Sequence, residues 1–135
     1  MKTIISIIEK AEDGGYSIYA KDENVPVTGA GLTEDEAKKD YEEVLKEQAE
    51  YYKEIKGKYP EWYTNEYKID YRYDVSGFFL SFPFINATEF AKSIGINPSL
   101  MRKYKNGLSA AGNKQKDLIQ KKFNELVQKM EMVKF

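Results

Sequence analysis

Apolar and polar positions alternate with two different periods along this chain, and the change of period marks its elements. Thr3-Ile-Ile-Ser-Ile-Ile8 is β-branched on both faces and predicts a central strand over 3–8. Asp13-Gly14-Gly15 supplies positive φ for a hairpin, and Tyr16-Ser-Ile-Tyr-Ala20 alternates as the returning strand. Val25-Pro-Val-Thr28 predicts a short third strand, at an edge or a bulge because Pro26 has no N–H to give the ladder. Gly29-Ala-Gly31 then turns into a helix over 34–56. Thr33 with Glu36 forms its capping box, and Ala37, Tyr41, Val44 or Leu45, Gln48, Tyr52 and Ile55 trace its apolar stripe. Gly57 and Pro60 close it. After a Tyr-rich connector, Ile69, Tyr71 and Tyr73 alternate with charged neighbours as a half-buried strand over 68–74. The order β-β-β-α-β predicts a small sheet with one covering helix.

The second half of the chain follows the helical period. Ser76 to Phe82 reads either as a strand or as a short helix ended by Pro83. From Ala87 to Asn106, apolar and small residues fall where two crossing helices need them. Phe90 and Ile94 face inward from a helix over 88–94, Ala91 is small at the crossing, Gly95 permits a left-handed turn and Ile96 plugs the corner. Asn97 caps the second helix, Pro98 takes its first position, and Leu100 or Met101 with Tyr104 face the core before Gly107 ends it. A last helix over 113–133 carries Ile119, Phe123, Leu126, Met130 and Val133 in steps of four and three. This seam serves packing onto its own domain or a homodimer.

Charge divides the same way. Residues 1–85 hold 18 Asp+Glu and 11 Lys+Arg, net -7; residues 86–135 hold 4 and 10, net +6; the near-neutral total of -1 conceals the split. A basic third on an acidic body predicts a polyanion-binding module beside one with a different partner. Ser99 and Lys103 lie on the outer face of the second helix, where a recognition helix meets base edges. Arg102, Lys105 and Asn106 are placed for phosphates of double-stranded DNA, and the cap Asn97 counts among the DNA-binding residues. The competing reading is a plain helical hairpin with a solvated basic face.

The chain has no cysteine and no histidine, which removes disulfides, thiolate chemistry and the commonest general base and zinc ligand. Asp13, Asp22, Asp70 and Asp74 are the acids a two-metal hydrolase would need, but a turn and a solvated strand account for them, so no enzyme activity and no cofactor or metal is expected. Trp62 and the tyrosines around it form either a protein-contact patch or a cover for the sheet. No apolar run is long enough for a membrane span, and Met1 to Glu9 lacks a signal-peptide pattern, so a cytoplasmic location is expected.

The window ending Tyr104-Lys-Asn-Gly107 resembles the phage-repressor-like, or XRE-type, helix-turn-helix. That family places a helix before the motif, so the resemblance favours Ser76 to Phe82 as that helix. Glu9-Lys-Ala-Glu-Asp-Gly-Gly-Tyr-Ser-Ile-Tyr-Ala20, followed by a short strand and Gly31-Leu-Thr-Glu-Asp-Glu-Ala37 opening a long helix, resembles the HicB antitoxin family. The resemblance implies an α+β chain, with a partial RNase-H-like β-β-β-α-β domain over 1–75 and an all-α helix-turn-helix domain over 76–135. It also implies an antitoxin that masks a HicA-like mRNA-cleaving toxin and represses its own operon as a homodimer or tetramer. A stand-alone regulator without a toxin is the alternative.

Overall fold

The computed structural model describes residues 2–64 and 66–135, so Asn65 of the aromatic connector lies outside the described residues. Among these the chain is α+β, with a four-stranded mixed sheet and five helices. It divides into two compact units, Met1–Ser81 and Phe82–Phe135.

The first unit contains β1 (Thr3–Lys10), β2 (Tyr16–Ala20), β3 (Thr28–Gly31), α1 (Glu34–Lys56), β4 (Lys68–Tyr73) and α2 (Val75–Ser81). The sheet order is β3-β2-β1-β4, with β1 antiparallel to β2 and parallel to β4. The doubly apolar β1 is therefore central. Its Ile4 and Ile8, with Ile18 of β2, meet Ala37, Tyr41 and Leu45 of α1 to form the core. Tyr41 is fully buried, and its hydroxyl shares a 2.8 Å hydrogen bond with Ser6 Oγ, so the polar pair inside the core is satisfied. Ile7 and Ile5 point to the opposite sheet face.

Three expectations change. The third strand is not Val25-Pro-Val-Thr28: Val25 and Val27 are buried, but Val27 N donates to Val25 O in a tight turn, and the strand is the Gly-rich Thr28–Gly31. α1 lies so close to β3 that a Cβ on Gly29 would sit 2.6 Å from Tyr41 backbone atoms, and one on Gly31 2.5 Å from Ala37 N. Only glycine fits a strand against which a helix packs this closely. The α1 stripe is also narrower than predicted: Ala37, Tyr41, Leu45 and Ala49 are buried, while Gln48, Tyr52 and Ile55 are exposed because the last turns carry little core. Finally, the short helix before Pro83 is formed, but α2 packs on β1 within the first unit. A Cβ on Gly77 would lie 2.3 Å from Ile8 O, and Ser76 Oγ accepts a bond from Lys10 N.

Glu34 joins these elements. Its carboxylate accepts from Tyr73 Oη, from Ser81 Oγ at 2.8 Å and from Lys38 Nζ at 3.1 Å, linking the start of α1 to β4 and α2. Partial burial opposes the charge, but bonds from Tyr73, Ser81 and Lys38 outweigh it and hold the carboxyl below its ordinary range. Burial and the bond to Glu34 push the Tyr73 phenol up. A carboxyl with a lowered native pKa contributes stability above its unfolded value and loses it as pH falls through the native one. Glu34→Ala is expected to cost about 1–3 kcal/mol in urea unfolding at neutral pH. Glu34→Gln, which keeps an acceptor, should flatten the acid limb of the stability–pH curve below about pH 4.5.

The second unit is all-helical: α3 (Ala87–Ile94), α4 (Pro98–Lys105) and α5 (Asn113–Glu131). Ala87, Phe90, Ala91, Ile94, Ile96, Met101, Tyr104 and Ala111 are its buried apolar residues. α5 packs on α3 yet buries none of its residues: Ile119, Phe123 and Leu126 are half-buried, Met130 is 62% exposed, and Val133 lies beyond the helix end at Glu131.

Candidate nucleic-acid interface

The α3–α4 pair is fixed by its turn. Gly95 adopts φ 76° and donates to carbonyls of α3, and Ile96 N donates to Ala91 O at 2.9 Å, so the chain leaves α3 through a left-handed stop. Ile96 is buried in the corner, and Ala91, fully buried, lets α4 approach closely. α3 begins one residue earlier than expected. Asn86 caps it by accepting from Glu89 N at 3.0 Å, a cap legible in the Asn-x-x-Glu spacing.

α4 begins at Asn97, whose Oδ1 accepts from Ser99 N at 2.8 Å and Leu100 N at 3.2 Å. Its carbonyl oxygen is thereby committed to the cap, and its amide nitrogen is what remains for a ligand. Of the two inward candidates, Met101 is fully buried and Leu100 half-buried, with Tyr104 buried beside them. Arg102, Lys103 and Lys105 are exposed, and α4 contains no acidic residue. Asn106 is the C-cap and exposed, and Gly107 at φ 73° carries the chain away.

One link was not predicted. Arg102 spans the two helices, donating to Thr88 Oγ1 at 2.9 Å and to Ser99 Oγ at 3.1 Å. Ser99 is thus tied to Arg102 rather than free, and Thr88, at the start of α3, joins the same surface. The Ser99–Arg102 half of this link sits at an i, i+3 spacing that sequence shows; the Thr88 half needs the crossing geometry. The guanidinium has five donors, so contacts remain for an anion beside this trio. The nearby acid Glu89 faces Lys92 at 3.5 Å. Residues 82–85 carry no charge, so this unit holds the whole +6.

The other singled-out residues fall in the first unit. Trp62, Tyr59, Tyr63 and Tyr67 form a chain of ring contacts, and Trp62 and Tyr67 pack against the core. Tyr59 and Trp62 also line a cleft of about 830 Å³ with Lys2, Lys21 and Lys58. The four candidate acids are separated. Asp13 lies in the hairpin turn, Asp22 Oδ1 accepts from Asn24 N, Asp70 pairs with Arg72 at 3.0 Å and Asp74 accepts from Ser76. No helix among the described residues is long and apolar enough to cross a membrane.

Comparison with family models, with curated proteins and with solved structures gives no match for this chain.

Proposed function

We propose that this chain is a HicB-type antitoxin. Its second unit is a helix-turn-helix that binds operator DNA through α4, and its acidic first unit, a partial RNase-H-like domain, binds and masks a basic HicA-like toxin. The observation that carries the DNA-binding half is α4 itself: a capped helix free of acid, set by a left-handed turn against α3, exposing Arg102, Lys103 and Lys105. Such a helix suits a major groove, with Lys103 toward base edges and Arg102, Lys105 and Asn106 toward phosphates. Ser99 and Thr88, held by Arg102, extend the donor surface, and Asn97 offers its amide nitrogen. The toxin-binding half is supported by the net charge of -7 on the first unit, which complements a basic partner, and by a β-β-β-α-β order with β4 alongside β1. Binding at paired half-sites calls for two or four copies.

Footprinting on the DNA upstream of its own gene tests the operator reading. Paired protected half-sites about one helical turn apart are expected. Arg102→Ala with Lys103→Ala should reduce affinity roughly a hundredfold or more and lower the slope of log K against log salt by about 1–2, with far-UV circular dichroism unchanged. Full protection by the folded double variant rejects the groove assignment. Co-purification of a small basic protein encoded next door tests the toxin half, and its absence favours a stand-alone regulator.

A further inference from the structure

The two edges of the sheet are finished differently. At β3 the outward amide of Ala30 donates to Asp40 Oδ2 at 2.9 Å, and just past the strand the amide of Leu32 donates to Glu36 Oε2 at 3.2 Å, so side chains of α1 cover part of this short, glycine-rich edge. β4 is the opposite edge, longer, with neither proline nor bulge. Lys68 N donates to Lys2 O and Asp74 N to Ile8 O, so the even-numbered residues turn their backbone groups toward β1. The alternation of a parallel ladder then turns N–H and C=O of Ile69, Tyr71 and Tyr73 outward. Among the described residues no group bonds to those three amides.

We propose that the β4 edge is a self-association surface: a second copy of this chain adds its own β4 antiparallel, with Tyr71 opposite Tyr71 on the two-fold axis. The backbone and the charges select the same register. Only odd residues present free backbone groups, so odd must face odd, which leaves three central registers. Centring on residue 70 would set Asp70 against Asp70 and Lys68 against Arg72; centring on 72 would set Arg72 against Arg72 and Asp70 against Asp74. Centring on Tyr71 sets Asp70 of each copy against Arg72 of the other, and Lys68 opposite Asp74. In this register Ile69 meets Tyr73 on the helix side of the sheet, and each outward residue exchanges both backbone bonds with its opposite. The Asp70–Arg72 pair within one strand, 3.0 Å long and partly exposed, becomes part of a four-charge row across the axis. Opposite charges directly across an antiparallel pair stabilise it and like charges oppose it. This surface stands independently of the DNA-binding reading.

Sedimentation equilibrium of the full chain, with hydrogen exchange read at single amides, tests it. The wild type should dimerise, and the Ile69, Tyr71 and Tyr73 amides should exchange more slowly as concentration rises. Asp70→Arg alone and Arg72→Asp alone should each weaken the dimer about tenfold, while the double charge swap restores it, with Trp62 fluorescence showing that all three stay folded. Because the chain has no cysteine, an equal mixture of Asp70→Cys and Arg72→Cys proteins should form a disulfide-linked pair under mild oxidation, and neither protein alone should. A monomeric wild type at about 1 mM overturns the proposal. So does a dimer unmoved by either reversal, which would place the contact elsewhere, for example on α5. A swap that stays folded without restoring association overturns the register.

Discussion

Gly31→Ala should cost at least about 3 kcal/mol and leave the first unit largely unfolded at 37 °C, although it adds a single methyl group. The new Cβ would lie 2.5 Å from Ala37 N and 2.8 Å from Glu36 backbone carbon, and backbone in the first turn of a helix cannot rotate aside as a side chain would. Either α1 lifts from β3, exposing Ala37 and Tyr41, or β3 leaves β2. Both disrupt the core built on Ile18 and Tyr41. Gly29→Ala should behave alike, since its Cβ would meet Tyr41 N, Cα and Cβ at 2.6 Å. Ala30 is the internal control. It lies between the two glycines on the other face, exposed, so Ala30→Thr should stay within about 0.5 kcal/mol. Urea unfolding followed by Trp62, which lies in the first unit, measures all three. Equal stability of Gly31→Ala and wild type would mean that α1 does not sit this close.

Met101→Ala should remove the surface proposed to bind DNA without touching a charge. Met101 is fully buried on α4, against a core otherwise made of Phe90, Ile94, Ile96, Tyr104 and three alanines. Truncating a buried methionine costs about 2–5 kcal/mol. A 54-residue unit in which no residue of α5 is fully buried has little stability to lose. The expected result is loss of helical circular dichroism and, with the proposed DNA binding, of operator protection, with Trp62 fluorescence unchanged at 25 °C. The spectroscopy separates the units because the single tryptophan lies in the first and the second has one tyrosine, Tyr104. Retained DNA binding with full helicity would count against the packing described for α4.

Much of this architecture was legible in the residues. Thr33 with Glu36 and the Gly57 stop bound α1 as expected, and the Gly95, Asn97 and Pro98 signals bound the α3–α4 turn, because caps and left-handed turns act within a few residues of chain. The failures are where distant backbone decides. Val25-Pro-Val has strand composition but is buried as a turn, and the strand passed to Gly29 and Gly31, whose role depends on α1 lying against them. α2 was readable as a helix, yet its attachment to β1 depends on Gly77 meeting Ile8, a contact across 69 positions. At the candidate interface the exposed cations were legible from period alone. The Thr88–Arg102 bond was not, since it exists only once two helices cross.

The carboxylates at the β3 edge also work against growth. A sheet whose two margins both accept strands can lengthen without end, copy upon copy, as a fibril does. Asp40 and Glu36 occupy the amides of Ala30 and Leu32 at one margin, so β4 is the more open side each molecule brings to a strand-to-strand meeting. Joined through β4 about a two-fold axis as proposed, two molecules use up both open sides, and the combined eight-stranded sheet ends on either flank in a short strand partly covered by α1. Assembly of this kind stops at two by construction.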